Sequence, residues 1–211
     1  MSMIFDIVQN SKELFFADFD IIRGDQTIGQ MSFQGKFGSM EGEWLIRYFD
    51  KEIVMKHCHQ KEVRAKSKVF RPYSICINSD SVGFAYQTRF NAGIFKSFDY
   101  EQLSMLGTTY SLYSIGFGED GFKCPIYDCN RQVALIEKPC IVYNDLHKYH
   151  IISTKNESDL AAVLLCGYMY VNSAYKPGNK VSNAIEKNIS ITKNKLLIDK
   201  YDSNFVRGVI D

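Results

Sequence analysis

Proline is scarce in this chain of 211 residues, with only 4, and charge of one sign is not in excess: 25 Lys and Arg stand against 24 Asp and Glu, a formal net charge of +1. Few prolines exclude a polyproline or linker-like chain, and the charge balance removes any global case for nucleic-acid binding. No run of apolar residues approaches the roughly 20 that a transmembrane helix requires; the longest, Leu160 to Val171, is 12 residues and is interrupted by Gly167. The start, Met1-Ser2-Met3-Ile4-Phe5-Asp6, joins no basic segment to an apolar run and cleavage site, so no signal peptide is expected. Phosphate-binding loops are missing as well, since Gly35-Lys36-Phe37-Gly38 lacks the Walker spacing and a following helix. No Gly-x-Ser-x-Gly elbow or family-specific cysteine signature marks a covalent nucleophile.

What is present is globular: 45% hydrophobic, 23% charged and 14% aromatic residues, with 15 Phe and 13 Tyr beside the lone Trp44. A chain of this size buries about 70% of its unfolded surface and needs neither disulfide nor metal to hold a core. The six cysteines, Cys58, Cys76, Cys124, Cys129, Cys140 and Cys166, are therefore expected as reduced thiols in a cytoplasmic protein, with Cys76 and Cys166 as small buried apolar groups.

From Ile4 to Ser153 short apolar-alternating runs are separated by turn signals, which predicts about twelve antiparallel strands. They include Leu14–Ala17 and Asp20–Arg23 as separate strands, Trp44–Phe49, Glu52–His57, Tyr73–Ile77, Ser111–Phe117 and Gln132–Glu137. One helical interruption is expected at Asp99–Leu106, where Leu103 and Leu106 are three apart and Gly107 follows. The period then changes. Asn156-Glu157-Ser158-Asp159 reads as a helix start with acids at the positive end, and the residues to about Tyr175 are apolar around the whole circumference. Such a helix must be buried on all sides. An open sheet would leave part of it wet, so the expected architecture is mainly β: a closed antiparallel barrel of about twelve strands around a central hydrophobic helix, spanning residues 1–175. Residues 176–211 carry net +3, leaving −2 for the rest, and are expected as a polar, partly ordered extension packing on the barrel. There Val181, Ile185 and Ile189 lie four apart, and Ile189–Thr192 with Lys195–Ile198 reads as a small hairpin.

Three stretches carry a family resemblance. Phe122 to Pro139, with Asp128-Cys129-Asn130-Arg131 as its turn and Lys138-Pro139 at its end, resembles a strand–turn–strand segment of the tubby C-terminal-like superfamily. Asn144 to Ile152 resembles the strand before that superfamily's last helix, and Leu160–Tyr170 resembles the helix itself. The resemblance, which is to members of bacterial type, implies a 12-stranded barrel around a helix in the manner of tubby, phospholipid scramblase and LURP-one-related proteins. The extension after Tyr175 departs from tubby, in which the helix lies at the chain end.

The strongest local charge anomaly is Lys56 to Arg71, with six basic residues against Glu62 alone. Arg64, Lys66, Lys68 and Arg71 are the candidate anion site, able to grip phosphates by charge-assisted hydrogen bonds or to dock on an anionic leaflet. His57-Cys58-His59 offers two histidines on one strand face, but two ligands do not make a zinc site, and Cys124 and Cys129 are off zinc spacing, so no metal or cofactor is expected. The favoured reading is a non-catalytic cytoplasmic binding or scaffold module, peripheral to a membrane if its ligand is an anionic phospholipid headgroup, with a protein partner as the other ligand class. Two alternatives remain: an enzyme with its site at the barrel mouth using His57 or His59, and a protein that self-associates through residues 176–211.

Overall fold

The computed structural model describes residues 3–36, 41–67, 71–93, 96–154, 156–176 and 184–210. Nine strands alternate with tight turns through the first half: β1 (Met3–Lys12), β2 (Phe16–Arg23), β3 (Gln26–Gly35), β4 (Gly42–Tyr48), β5 (Lys51–His57), then a short helix α1 (Lys61–Lys66), β6 (Tyr73–Ile77), β7 (Asp80–Phe90), β8 (Phe98–Met105) and β9 (Thr108–Leu112). The second half holds β10 (Ile115–Gly118), β11 (Phe122–Asp128), β12 (Arg131–Lys138), β13 (Ile141–Tyr143), β14 (Lys148–Ser153) and the long helix α2 (Asn156–Ser173). Last come β15 (Ile185–Lys187), β16 (Ser190–Ile191), α3 (Lys195–Ile198) and α4 (Arg207–Ile210).

Strands β1 to β9 pair in sequence order, β9 pairs β11, β11 pairs β12, β12 pairs β14, and β14 returns to β1, all antiparallel. That circuit is a closed barrel of twelve strands, with β10 and β16 as a flap on β11 and β13–β15 as a separate pair. Alternation decides which face is inside. Trp44, Ile46 and Tyr48 of β4, Phe19 and Ile21 of β2, and Tyr73 and Ile75 of β6 are buried at every second position. Closure leaves no unpaired edge in the ring, which is what a sheet this large requires to avoid pairing with other chains.

Helix α2 has no dry and wet side; from Ser158 to Val171 every residue is buried. Its Tyr170 ring packs edge-on against Phe19 of β2 at 5.0 Å and Trp44 of β4 at 5.8 Å, while Tyr168 meets Tyr73 of β6 at 5.9 Å. Met169 touches Cys124 of β11, sulfur to sulfur at 3.9 Å. Strands β4 and β11 are half a circuit apart in the ring order, so the helix meets opposite walls. Gly167 lets it approach one of them: a Cβ there would lie 3.0 Å from the Met31 methyl and 3.4 Å from the Trp44 indole.

Four local expectations are corrected. Asp99–Leu106 is not a helix but most of β8, because Glu101, Leu103 and Met105 are buried at every second position against β7 and β9. Leu106-Gly107, with φ of 51° and 81°, is the hairpin turn that follows it rather than a helix cap. Leu14–Ala17 and Asp20–Arg23 merge into the single strand β2, and Cys76 is half-buried where full burial was expected. The C-terminal hairpin is absent: β16 pairs with β10, and Lys195–Ile198 turns into α3, capped by the Asn194 side chain, which accepts from the Leu197 N–H. Val181 lies outside the described residues.

The extension covers part of the barrel's outer wall. Leu135 of β12 and Ile152 of β14 are paired neighbours facing outward, and Phe205 and Val209 cover them together with Tyr201 and Val206. This explains why β12 is buried on both faces while most strands alternate.

The densest aromatic contact, Trp44 with Phe19, Phe33 and Tyr170, gives a stability test. Trp44→Ala should lower the unfolding free energy by about 3–5 kcal/mol through the cavity it leaves, measured by urea unfolding with fluorescence of the tyrosines.

Candidate functional site

A cavity of about 570 Å³ opens at the end of the barrel where α2 begins. Two hairpin turns form its rim. Phe49 and Asp50 join β4 to β5, and Leu106 and Gly107 join β8 to β9. Phe49 and Leu106 are both large, apolar and solvent-exposed, and both hold left-handed backbone, with φ of 52° and 51°. L-residues with a Cβ adopt that conformation at a cost of roughly 1–2 kcal/mol, so glycine or asparagine is the usual occupant. Placing bulky apolar side chains there is strain of the sort that gathers at functional sites.

The walls are Met3, Tyr48, Met105 and Tyr110 with Lys51 and Thr108, and the floor is Asp159 and Leu160 near the start of α2. Asp159 is only 1% exposed. Its Oδ1 accepts from the Ser153 hydroxyl, whereas Oδ2 is buried with no hydrogen-bond partner among the described residues. Burial pushes the Asp159 carboxyl above the usual carboxylate range, against the opposing pull of the Ser153 hydrogen bond and the Arg23 charge. A buried acceptor left unmatched costs free energy comparable to a lost hydrogen bond.

The predicted basic site lies elsewhere. Arg64 and Lys66 are exposed on α1, which Val63 anchors by burying its side chain. Lys68 lies outside the described residues. Arg71 is half-buried, and its Nη1 donates to the Val171 carbonyl at 3.2 Å. The last turn of α2 has no basic residue of its own, so Arg71 supplies the positive group that the negative end of the helix favours. His57 and His59 share one face at the end of β5, with ring centroids 4.6 Å apart and edge-on.

Other titratable groups are buried inside. Lys12 pairs with Asp145, and His147 beside them is held down to about 3 by burial, with the charges of Lys138 and Lys12 adding to it. Neutral at ordinary pH, His147 stacks near Tyr149, meets Tyr170 edge-on, and lines none of the three cavities at the α2 start, beside Lys200 and beside His57. Glu101, facing inward from β8, is pushed up to about 7 by burial. The Cys124 thiol is pushed up to about 12 by the same cause, which makes it a packing group and not a nucleophile at neutral pH.

Comparison of the chain with protein-family models, with curated proteins and with solved structures finds no match. Phe49, Leu106 and Asp159 were not singled out by sequence reasoning as a site. The usable signal was an apolar residue where a turn wants a polar one, in Tyr48-Phe49-Asp50-Lys51 and Met105-Leu106-Gly107-Thr108.

The carboxyl gives a pH prediction. Folding raises its pKa above 3.8, so the unfolded chain releases this proton first, and stability falls as pH rises from there until the native carboxyl has also ionised. Asp159→Asn keeps the acceptor for Ser153 and removes the ionisation. The variant should gain stability over the parent on going from acid to neutral pH, read as the difference between their thermal midpoints across that range.

Proposed function

We propose that the chain is a non-catalytic binding module whose ligand is a small amphipathic molecule, with an apolar body and an amine or other hydrogen-bond-donating head, seated in the cavity where α2 begins. The observation that carries this reading is Asp159, a residue lining a mostly apolar cavity, whose Oδ2 is buried with no hydrogen-bond partner among the described residues. A volume of about 570 Å³ suits a drug-sized ligand, and an apolar lining with few convergent polar groups is the ordinary character of such sites. The head would donate to Asp159, and the body would lie between the Phe49 and Leu106 rims. The closed twelve-strand ring, together with α2 as its filling, supports membership in the tubby C-terminal-like superfamily. A barrel filled by its own helix leaves its ends as the places for a ligand.

The test is titration with a dansylated alkylamine and with the matching alkyl carboxylate, followed by fluorescence. The amine should bind at least tenfold more tightly; Asp159→Asn should remove that preference, and Leu106→Asn should weaken both while raising stability by about 1 kcal/mol. Equal binding of amine and carboxylate, unaltered by Asp159→Asn, would overturn the reading.

A second reading rests on α1, where Arg64 and Lys66 stand exposed with no carboxylate partner among the described residues. They would hold an anionic headgroup, together with Lys68 in the adjoining segment; Arg71, bound to α2, would lend charge only. Vesicles containing phosphatidylserine should retain the parent protein at low salt, and the Arg64→Ala, Lys66→Ala double variant should elute. Retention unchanged by the double substitution would sink this reading.

A further inference from the structure

A separate cluster at the end of β5 has the chemistry of a metal centre. His57 is the last residue of β5, and His59 follows two positions on, so both imidazoles project from one side of the chain while Cys58 is buried, with its N–H bonded to the Pro72 carbonyl. The third member comes from a distant part of the sequence. Glu43 and Lys56 are the terminal pair of the β4–β5 ladder, and Glu41, two residues before, lies beside the histidines. His57 Nδ1 and His59 Nε2 are 3.4 Å apart; Glu41 Oε1 is 3.6 Å from the first and 3.7 Å from the second.

Those three separations nearly form an equilateral triangle. A tetrahedral ion with bonds of about 2.0–2.2 Å sets its donor atoms about 3.3–3.6 Å apart, so one ion can reach all three atoms with small side-chain adjustments. A chain of hydrogen bonds alone needs no such closure, since each link prefers a distance nearer about 2.9 Å. The carboxylate is oriented for the purpose. Oε1 faces both histidines, while Oε2 is turned toward the Lys36 ammonium at 3.8 Å. The lysine thus neighbours the outer oxygen, the place that outer partners take at metal sites. The cluster borders a surface hollow of about 340 Å³, and the His59 side chain is 66% exposed, so an ion could enter without local unfolding.

We propose that Glu41, His57 and His59 form a binding site for one divalent transition-metal ion of the zinc class, with its remaining coordination open to solvent. Two imidazoles and a carboxylate suit zinc and its neighbours in the first transition row rather than calcium or magnesium, which take all-oxygen sets. The open position would hold water. This site is independent of the cavity at the start of α2, where none of its three residues is found.

The experiment is titration of the metal-free, reduced full chain with Zn2+ by calorimetry, and with Co2+ by visible absorption. The parent should take up one equivalent at micromolar affinity or better. His59→Asn, at an exposed position that does not threaten folding, should weaken binding at least tenfold, as should Glu41→Gln. The cobalt spectrum should show four- or five-coordinate bands and no thiolate charge transfer. Stoichiometric binding that survives both substitutions, a thiolate band that assigns the metal to cysteines, or no uptake by a parent with a native circular-dichroism spectrum would each overturn the proposal.

Discussion

The fold rests on a helix that cannot face water anywhere. Most helices in globular proteins bury one stripe and wet the other; α2 is buried on every side from Ser158 to Val171, including Leu164, Leu165, Tyr168 and Tyr170. Covering such a cylinder takes walls in all directions, and Trp44, Tyr73, Cys124 and Tyr149 belong to strands spaced around the ring. The requirement runs in both directions. A twelve-stranded ring is too wide for inward side chains to fill by themselves, so without a central filling its interior would be a large void or a channel.

How much of this was legible follows from which signals are local. The circumference of α2 is written in consecutive residues, and so are the alternations in β4 and β6, where Trp44, Ile46, Tyr73 and Ile75 point one way. Asp99 to Leu106 misled because Leu103, Leu106 and Gly107 fit a helical end as well as a hairpin. The decision came from pairing with β7 and β9, which is not a local property. Within the extension the packing on the barrel was legible, as Phe205 and Val209 against Leu135 and Ile152 show, whereas the hairpin was misread for the same reason, since the partner of Ser190–Ile191 is the distant β10. Candidate sites fared worst. Asp159 reads as a helix-start acid until its second oxygen is found without a partner among the described residues. His57 and His59 read as two ligands, too few for a site, until the β4–β5 ladder sets Glu41 next to them. Arg71 reads as one more loop cation until its guanidinium is seen on the Val171 carbonyl.

The two ends of α2 therefore have different chemistry. At the beginning, apolar side chains on strained turns rim a cavity also lined by Asp159, whose Oδ2 has no partner among the described residues. At the other end, the Arg71 guanidinium donates to the Val171 carbonyl, and Tyr175 packs on Phe33 with ring centroids at 4.6 Å. The polarity of the helix assigns these roles: its positive end faces the acid and its negative end faces the arginine. Neither site calls for the middle of the barrel to open, which agrees with the dryness of the interior side chains.

One ordering along the chain has a biosynthetic consequence. All twelve ring strands precede α2, since β14 ends at Ser153 and the helix begins at Asn156. A ribosome making this protein releases a complete set of sticky sheet before the rod that sheet must enclose. The last pairing to form also joins residues 3–8 to residues 148–153, among the longest loop closures available to the chain. Until roughly the final quarter of synthesis the nascent strands share an empty centre, which makes them customers for chaperones that shield apolar surface. Translation speed over codons 150 to 175 is thus a natural point of control over yield.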